Sequence, residues 1–169
     1  MEEQKEKPIM KLPEQYFRAG VGAVIINEIG HILSLERIDI PGAWQLPQGG
    51  LKSAEEPLRA AFREIAEETG IDESNLEVLD FYPEPLAYEL PPSARNEKTG
   101  RGQVQYWFLF RLRGRDDTID VEKGAEFRSW KWMAFESVIK LAVDFRKPVY
   151  LKMADRFSSI ISRQTSADA

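Results

Sequence analysis

The chain has no cysteine and only one histidine. The first absence excludes disulfides, thiolate zinc sites and cysteine nucleophiles together, and it fits a reducing compartment. The second leaves no histidine-based relay, because His31 follows the turn residue Gly30 and reads as a surface strand residue. No run approaches the roughly 18 apolar residues that a membrane-spanning helix needs. The first ten residues, MEEQKEKPIM, lack the apolar stretch of a secretory signal. A cytoplasmic location is therefore expected, with an organellar one after removal of a transit peptide left open. The formal net charge of −5 does not suit a general nucleic-acid coat, which would be strongly basic. Any phosphate must be handled locally, by a metal ion or by a few placed cations.

What is present is an ordinary globular composition: 169 residues, 43% apolar and 30% charged, enough for one domain with a real core. Residues 1–15 are polar, carry Pro8 and Pro13, and read as a loose arm. Two apolar runs, Val21–Ile26 and Ile32–Leu35, flank Glu28-Ile29-Gly30 as a strand, a turn and a strand. The stretch from Pro41 to Gly50 holds two prolines and three glycines and reads as a shaped loop around a very short strand. Residues 54–69 form the clearest helix. Its start is either a Ser53/Glu56 capping box or Glu56 with Pro57 as first helical residue, and Gly70 ends it. Strands are expected at about 76–82 and 85–90, then a polar loop over 91–102, then strands at Gln103–Leu112 and Phe127–Met133. Helices near 134–142 and 147–161 close the domain, leaving a frayed tail over 163–169. The fold class is α/β (α+β), one mixed domain over 16–162.

The helix concentrates charge. At 100° per residue, Glu64, Glu67 and Glu68 share an arc of about 100°, while Leu58, Phe62, Ile65 and Ala66 lie on the other side. Like charges at i,i+4 repel by a few tenths of a kcal/mol. A hard divalent cation reverses that sign, because Mg²⁺ takes carboxylate oxygens together with water and phosphates.

The flanking residues sharpen the reading. From Gly49 there are five residues to Glu55, seven more to Arg63, and then Glu64, Ile65, Glu67, Glu68, Gly70 and Ile71 at fixed places. This run resembles the signature of the Nudix hydrolases, and its chance occurrence is on the order of one in ten million from ordinary residue frequencies. The resemblance implies a mixed β-sheet sandwiched between helices and hydrolysis of a phosphoanhydride by water attack on phosphorus, with Mg²⁺ as cofactor and Mn²⁺ able to substitute. Carried over, Glu64, Glu67 and Glu68 are metal ligands, Glu55 and Arg63 shape the loop–helix junction, and Gly49 and Gly50 allow close backbone approach. Glu64 is nominated as the base.

Outside the signature, Tyr16–Gly22, Trp44–Gly50, Gln105–Phe110, Glu126-Phe127, Trp130–Trp132 and Asp144–Tyr150 resemble the branch that contains diadenosine tetraphosphate hydrolases and RNA pyrophosphohydrolases. By that likeness Glu126 is a further metal ligand. Arg18, Arg37 and Lys147 are phosphate contacts, and Tyr88 and Phe145 are an aromatic pair stacking a base. Two departures stand out: Tyr106 replaces the branch's usual lysine, and Leu51-Lys52-Ser53-Ala54 replaces an acidic, glycine-containing turn. Asymmetric cleavage of dinucleoside polyphosphates is expected first, because only Arg95, Lys98, Arg101, Arg146 and Lys147 could follow an RNA backbone. Removal of pyrophosphate from an RNA 5′ end is the alternative. Behind it stand other Nudix substrates (ADP-ribose, a dinucleotide cofactor, a diphosphoinositol polyphosphate) and a catalytically silent binding protein. The expected partner is a nucleotide-type small molecule or an RNA 5′ end, with no membrane and no obligate protein partner.

Overall fold

A computed structural model describes residues 15–166. The arm expected over 1–15 lies outside them except for Gln15, as do the last three residues of the expected tail. Among the described residues no helix is long and apolar enough to cross a membrane.

The first apolar run and its neighbours form β1 (Phe17–Ile26), which turns through Gly30 into β2 (Ile32–Arg37). The proline- and glycine-rich stretch yields two short strands rather than one, β3 (Trp44–Gln45) and β4 (Gln48–Gly50). After helix α1 (Pro57–Thr69) come β5 (Leu76–Phe81), β6 (Leu86–Glu89), β7 (Gly102–Leu112) and β8 (Phe127–Met133). Helices α2 (Phe135–Leu141) and α3 (Lys147–Ser166) end the chain. One mixed sheet collects all eight strands. Its spine is the parallel pairing of β1 with β7, Phe17 opposite Gly102 through Ile26 opposite Arg111. The other edge of β1 is divided: β4 pairs with its first half, Gly20–Gly22 against Gly50–Gln48, and β2 takes its end.

Each face of the sheet buries one apolar cluster. Val21, Ala23 and Ile25 point to α1, where they meet Ala60, Ala61 and Ile65. Val24, Ile26, Trp107 and Leu109 point the other way, to Val138 of α2 and Tyr150, Met153 and Phe157 of α3. The alternation is that of strands covered on both sides, and it makes the sheet-between-helices sandwich.

One open reading is decided and three others change. At α1 the capping box does not form: Glu56 is the extended N-cap without a side-chain bond and Pro57 is the first helical residue, while Gly70 closes the far end at φ +70°. The helical arcs also shift, because Ala66 is exposed and Glu68 is buried under the backbone of Gln48. The tail expected from 163 remains helical to Ser166. Ser162, Thr165 and Ser166 hydroxyls bond carbonyls one turn back, and Gln164 accepts a bond from Arg111 of β7. The loop over 91–102 is more ordered than its composition suggests. A tight turn at Pro92–Ala94 and the Asn96 side chain organise it, Arg95 and Arg101 both pair with Glu89, and Gly102 already belongs to β7.

Candidate active site

Because β4 is pinned to β1, the Gln48-Gly49-Gly50 backbone lies against the acidic side of α1. The space beside it is a cavity of about 890 Å³, walled by β4, by Glu64, Glu67 and Glu68 of α1, by residues 123–126 and the first residue of β8, and by Arg18, Arg37 and Gln103.

Arg63 organises the junction. Its Nε and Nη2 donate to the two carboxylate oxygens of Glu55 at 2.7 and 2.8 Å, Nη2 also reaches the Gly50 carbonyl at 2.9 Å, and Nη1 reaches Glu64 Oε1 at 2.6 Å. This two-pronged pairing brings the Glu55 carboxyl down to about 2 and raises the guanidinium further. Loop, strand and helix are thereby tied at one cation.

The remaining carboxylates are held at a cost. Burial raises Glu64 above the ordinary carboxyl range, and Arg63 opposes it only in part. Glu68, 7% exposed, is raised well above that range, first by burial, although the Gln48 N–H donates to it at 3.0 Å. The charge of Glu126 adds to both shifts. All four glutamates named from the sequence as metal ligands therefore face one space. Among the described residues no group of three acidic or histidine side chains already converges as a metal cage. The donor chemistry nevertheless fits Mg²⁺, a hard ion that uses one or two carboxylates and keeps several waters.

Arg18, Arg37, Gly49 and Gly50 also line the cavity. The Arg18 guanidinium lies on Gly50, where a Cβ would stand 2.3 Å from Nη2, and Arg37 Nε donates to Asp39 at 2.8 Å. Three expected contacts fall elsewhere. Lys147 donates to Asp144 at 2.7 Å and does not line the cavity. Tyr88 and Phe145 do not line it either: Tyr88 is 6% exposed within the core, and its ring stacks on that of Phe145 at 5.5 Å between centroids. Core packing closes the pair on itself. Tyr106 is also no wall residue; it alternates away from Gln105 on β7, so the lysine it replaces is not a gap in this cavity.

Gln45, Gln48, Gln103 and Arg146 line the cavity without having been named as site residues. Arg146 was expected as an exposed cation but is 7% exposed, because it donates to Gln45 and lies over both the Tyr88 and Phe145 rings. The i,i+2 spacing of Gln103 and Gln105 on a strand was the one signal available for the glutamines.

This geometry has known counterparts. The NUDIX domain model matches residues 16–153. The chain is 37% identical over 160 residues to Nudix hydrolase 26, chloroplastic, of Arabidopsis thaliana, covering 89% of this chain and 73% of that protein. It is 40% identical over 146 residues to an RNA pyrophosphohydrolase of Cereibacter sphaeroides, covering 83% and 90%. A solved binary complex of the Caenorhabditis elegans Ap4A hydrolase matches with a TM-score of 0.62 and 22% identity, over 83% and 98% of the two chains. At that identity the likeness carries the fold alone. The chain belongs to the Nudix family, and is a hydrolase of nucleotide phosphoanhydrides.

Proposed function

We propose that this hydrolase removes pyrophosphate from the 5′ end of triphosphorylated RNA. The observation that carries the reading is the 40% identity to an RNA pyrophosphohydrolase across 90% of that protein's length. Dinucleoside polyphosphate cleavage, placed first on sequence grounds, becomes the second reading. A dinucleoside substrate asks for two base sites, and the one aromatic pair nominated as a clamp is closed ring on ring. The loop cations do not supply the RNA path either, since neither Arg95, Lys98 nor Arg101 lines the cavity. An RNA leaving this cavity runs instead past Arg37 and the largely exposed Lys123 at its rim.

In this reading Glu64, Glu67, Glu68 and Glu126 hold Mg²⁺, with Mn²⁺ able to substitute. Bound there, the ion supplies charge neutralisation along the phosphates and an acidified water. Glu64 takes the proton of the attacking water, Arg63 keeps that carboxylate aimed into the cavity, and Glu55 fixes Arg63. Arg18 and Arg37, with the Gly49 and Gly50 backbone, hold the phosphate chain.

The test is direct competition between a short triphosphorylated RNA and diadenosine tetraphosphate at two salt concentrations, reading kcat/KM for each. RNA is expected to be preferred and to lose more with salt. Lys123→Gln should lower the RNA rate selectively, while neutralising Arg95, Lys98 and Arg101 together should change neither rate. Preference for the dinucleotide overturns the reading in favour of the second.

A further inference from the structure

Gln105 is fully buried on β7 and does not line the cavity, yet it carries an amide whose hydrogens are committed to two residues that do. Its Nε2 donates to Oε1 of Gln48 at 3.1 Å and to Oε1 of Gln103 at 3.0 Å. An amide is planar, with its acceptor and its NH₂ on separate branches, so holding each Oε1 inward turns each NH₂ away from Gln105. Among the described residues neither of those NH₂ groups has a protein acceptor. Gln48 and Gln103 both line the cavity, as does Arg18, so each glutamine leaves a neutral NH₂ donor pair available there.

The second observation is a cost. Gln105 Oε1 is buried and has no hydrogen-bond partner. An unsatisfied buried acceptor works against folding, and a leucine or methionine would fill the same volume without it. A glutamine kept for packing has no reason to bear that cost; one that must donate twice does.

We infer that Gln105 is a positioning residue for hydrolysis, fixing the Gln48 and Gln103 amides with their N–H groups toward the phosphate oxygens of the substrate. The inference rests on the reading that the phosphate chain lies in this cavity. Donors set in place before the substrate arrives need no reorganisation when it binds. Because they are uncharged, they add grip on the chain without adding to the salt dependence that Arg18 and Arg37 bring.

The experiment compares the wild type with Gln105→Leu and Gln105→Asn, the latter keeping a buried amide one methylene too short to reach both partners. Each variant is expected to raise KM five- to twentyfold with kcat within threefold. Inhibition by inorganic tripolyphosphate should weaken by the same factor, with the salt dependence of KM unchanged. In a Gln48→Leu/Gln103→Leu background, Gln105→Leu should add no more than twofold, since it acts only through those two side chains. An unchanged KM or tripolyphosphate inhibition in the variant that folds, a loss confined to kcat, or effects that multiply in the double background overturns the assignment. A wild-type protein that hydrolyses no nucleotide anhydride overturns the cavity reading itself, and that result is separate from an active wild type with indifferent variants.

Discussion

The carboxyl group of Glu64 rests on the bare Cα of Gly49: a Cβ at that position would stand 2.0 Å from the Glu64 carboxyl carbon. Glycine at 49 is therefore required by a side chain from α1 and not by a turn of the backbone. Gly49→Ala must drive the Glu64 side chain out of its place, and with it the nominated base. The expected result is a folded protein, its melting temperature lowered by a few degrees, with kcat down at least a hundredfold. Steady-state kinetics alongside a thermal melt check it; near-normal turnover would remove Glu64 from the chemistry.

Glu68 carries the clearest electrostatic cost in the domain. Burial raises its carboxyl well above 4.5, so the folded state resists its ionisation more than the unfolded state does. Its contribution to stability is accordingly favourable below about pH 4.5 and is lost as the pH rises through the folded value. Glu68→Gln can still accept the Gln48 N–H and removes the charge. In the presence of a chelator the variant should melt above the wild type at pH 7.5, with the gap closing toward pH 4. With Mg²⁺ present it should lose activity at least a hundredfold, as should Glu67→Gln, whose more exposed carboxyl has less stability to give back. A wild type that is the more stable protein at pH 7.5 in chelator would show that this burial is not the dominant effect.

These two residues also mark how far the sequence could be read. The 3.6-residue period of α1 and the fixed spacing from Gly49 to Ile71 place Glu64, Glu67 and Glu68 together, and the alternation of β1 and β7 places their apolar faces. A helical arc does not report what lies over it. Glu68 is buried because β4, twenty residues earlier, crosses above it, while Ala66, on the apolar arc, is exposed. The glutamine group was hidden for the same reason. Gln103 and Gln105 share a strand face, but Gln48 joins them only because β4 and β7 flank β1 on opposite sides. The aromatic pair is a different case: the likeness puts Tyr88 and Phe145 together as a pair that stacks a base, and packing brings the two rings against each other.

Tyr88 provides a prediction with opposite signs for two substitutions. Its ring is part of the core, while its hydroxyl is buried without a partner. Tyr88→Ala should cost about 3–5 kcal/mol, as large aromatic truncations in cores do. Tyr88→Phe should be neutral or stabilising, because it removes an unsatisfied polar group and nothing else. Denaturant unfolding of both variants checks the pair. A destabilised Tyr88→Phe would mean that the hydroxyl finds a partner on which the fold depends.

The turn that leads into α1 holds Ala54 at φ +60°, a left-handed conformation that a side chain adopts at a cost of roughly 1–2 kcal/mol. This is the segment in which the chain departs from the glycine-containing turn of the branch it resembles. The residue is exposed, so its methyl group contributes little burial to offset the strain. Ala54→Gly relieves the Cβ clash and gives back part of the gain through the greater freedom of glycine in the unfolded chain. The net expectation is a stabilisation of about 0.5–1 kcal/mol, read as a higher melting temperature, with kcat/KM within twofold because the Glu55–Arg63 anchor is untouched. A less stable variant would mean that the lost backbone entropy outweighs the strain, and that the left-handed turn is held comfortably by the bond from the Glu55 amide to the Lys52 carbonyl that spans it.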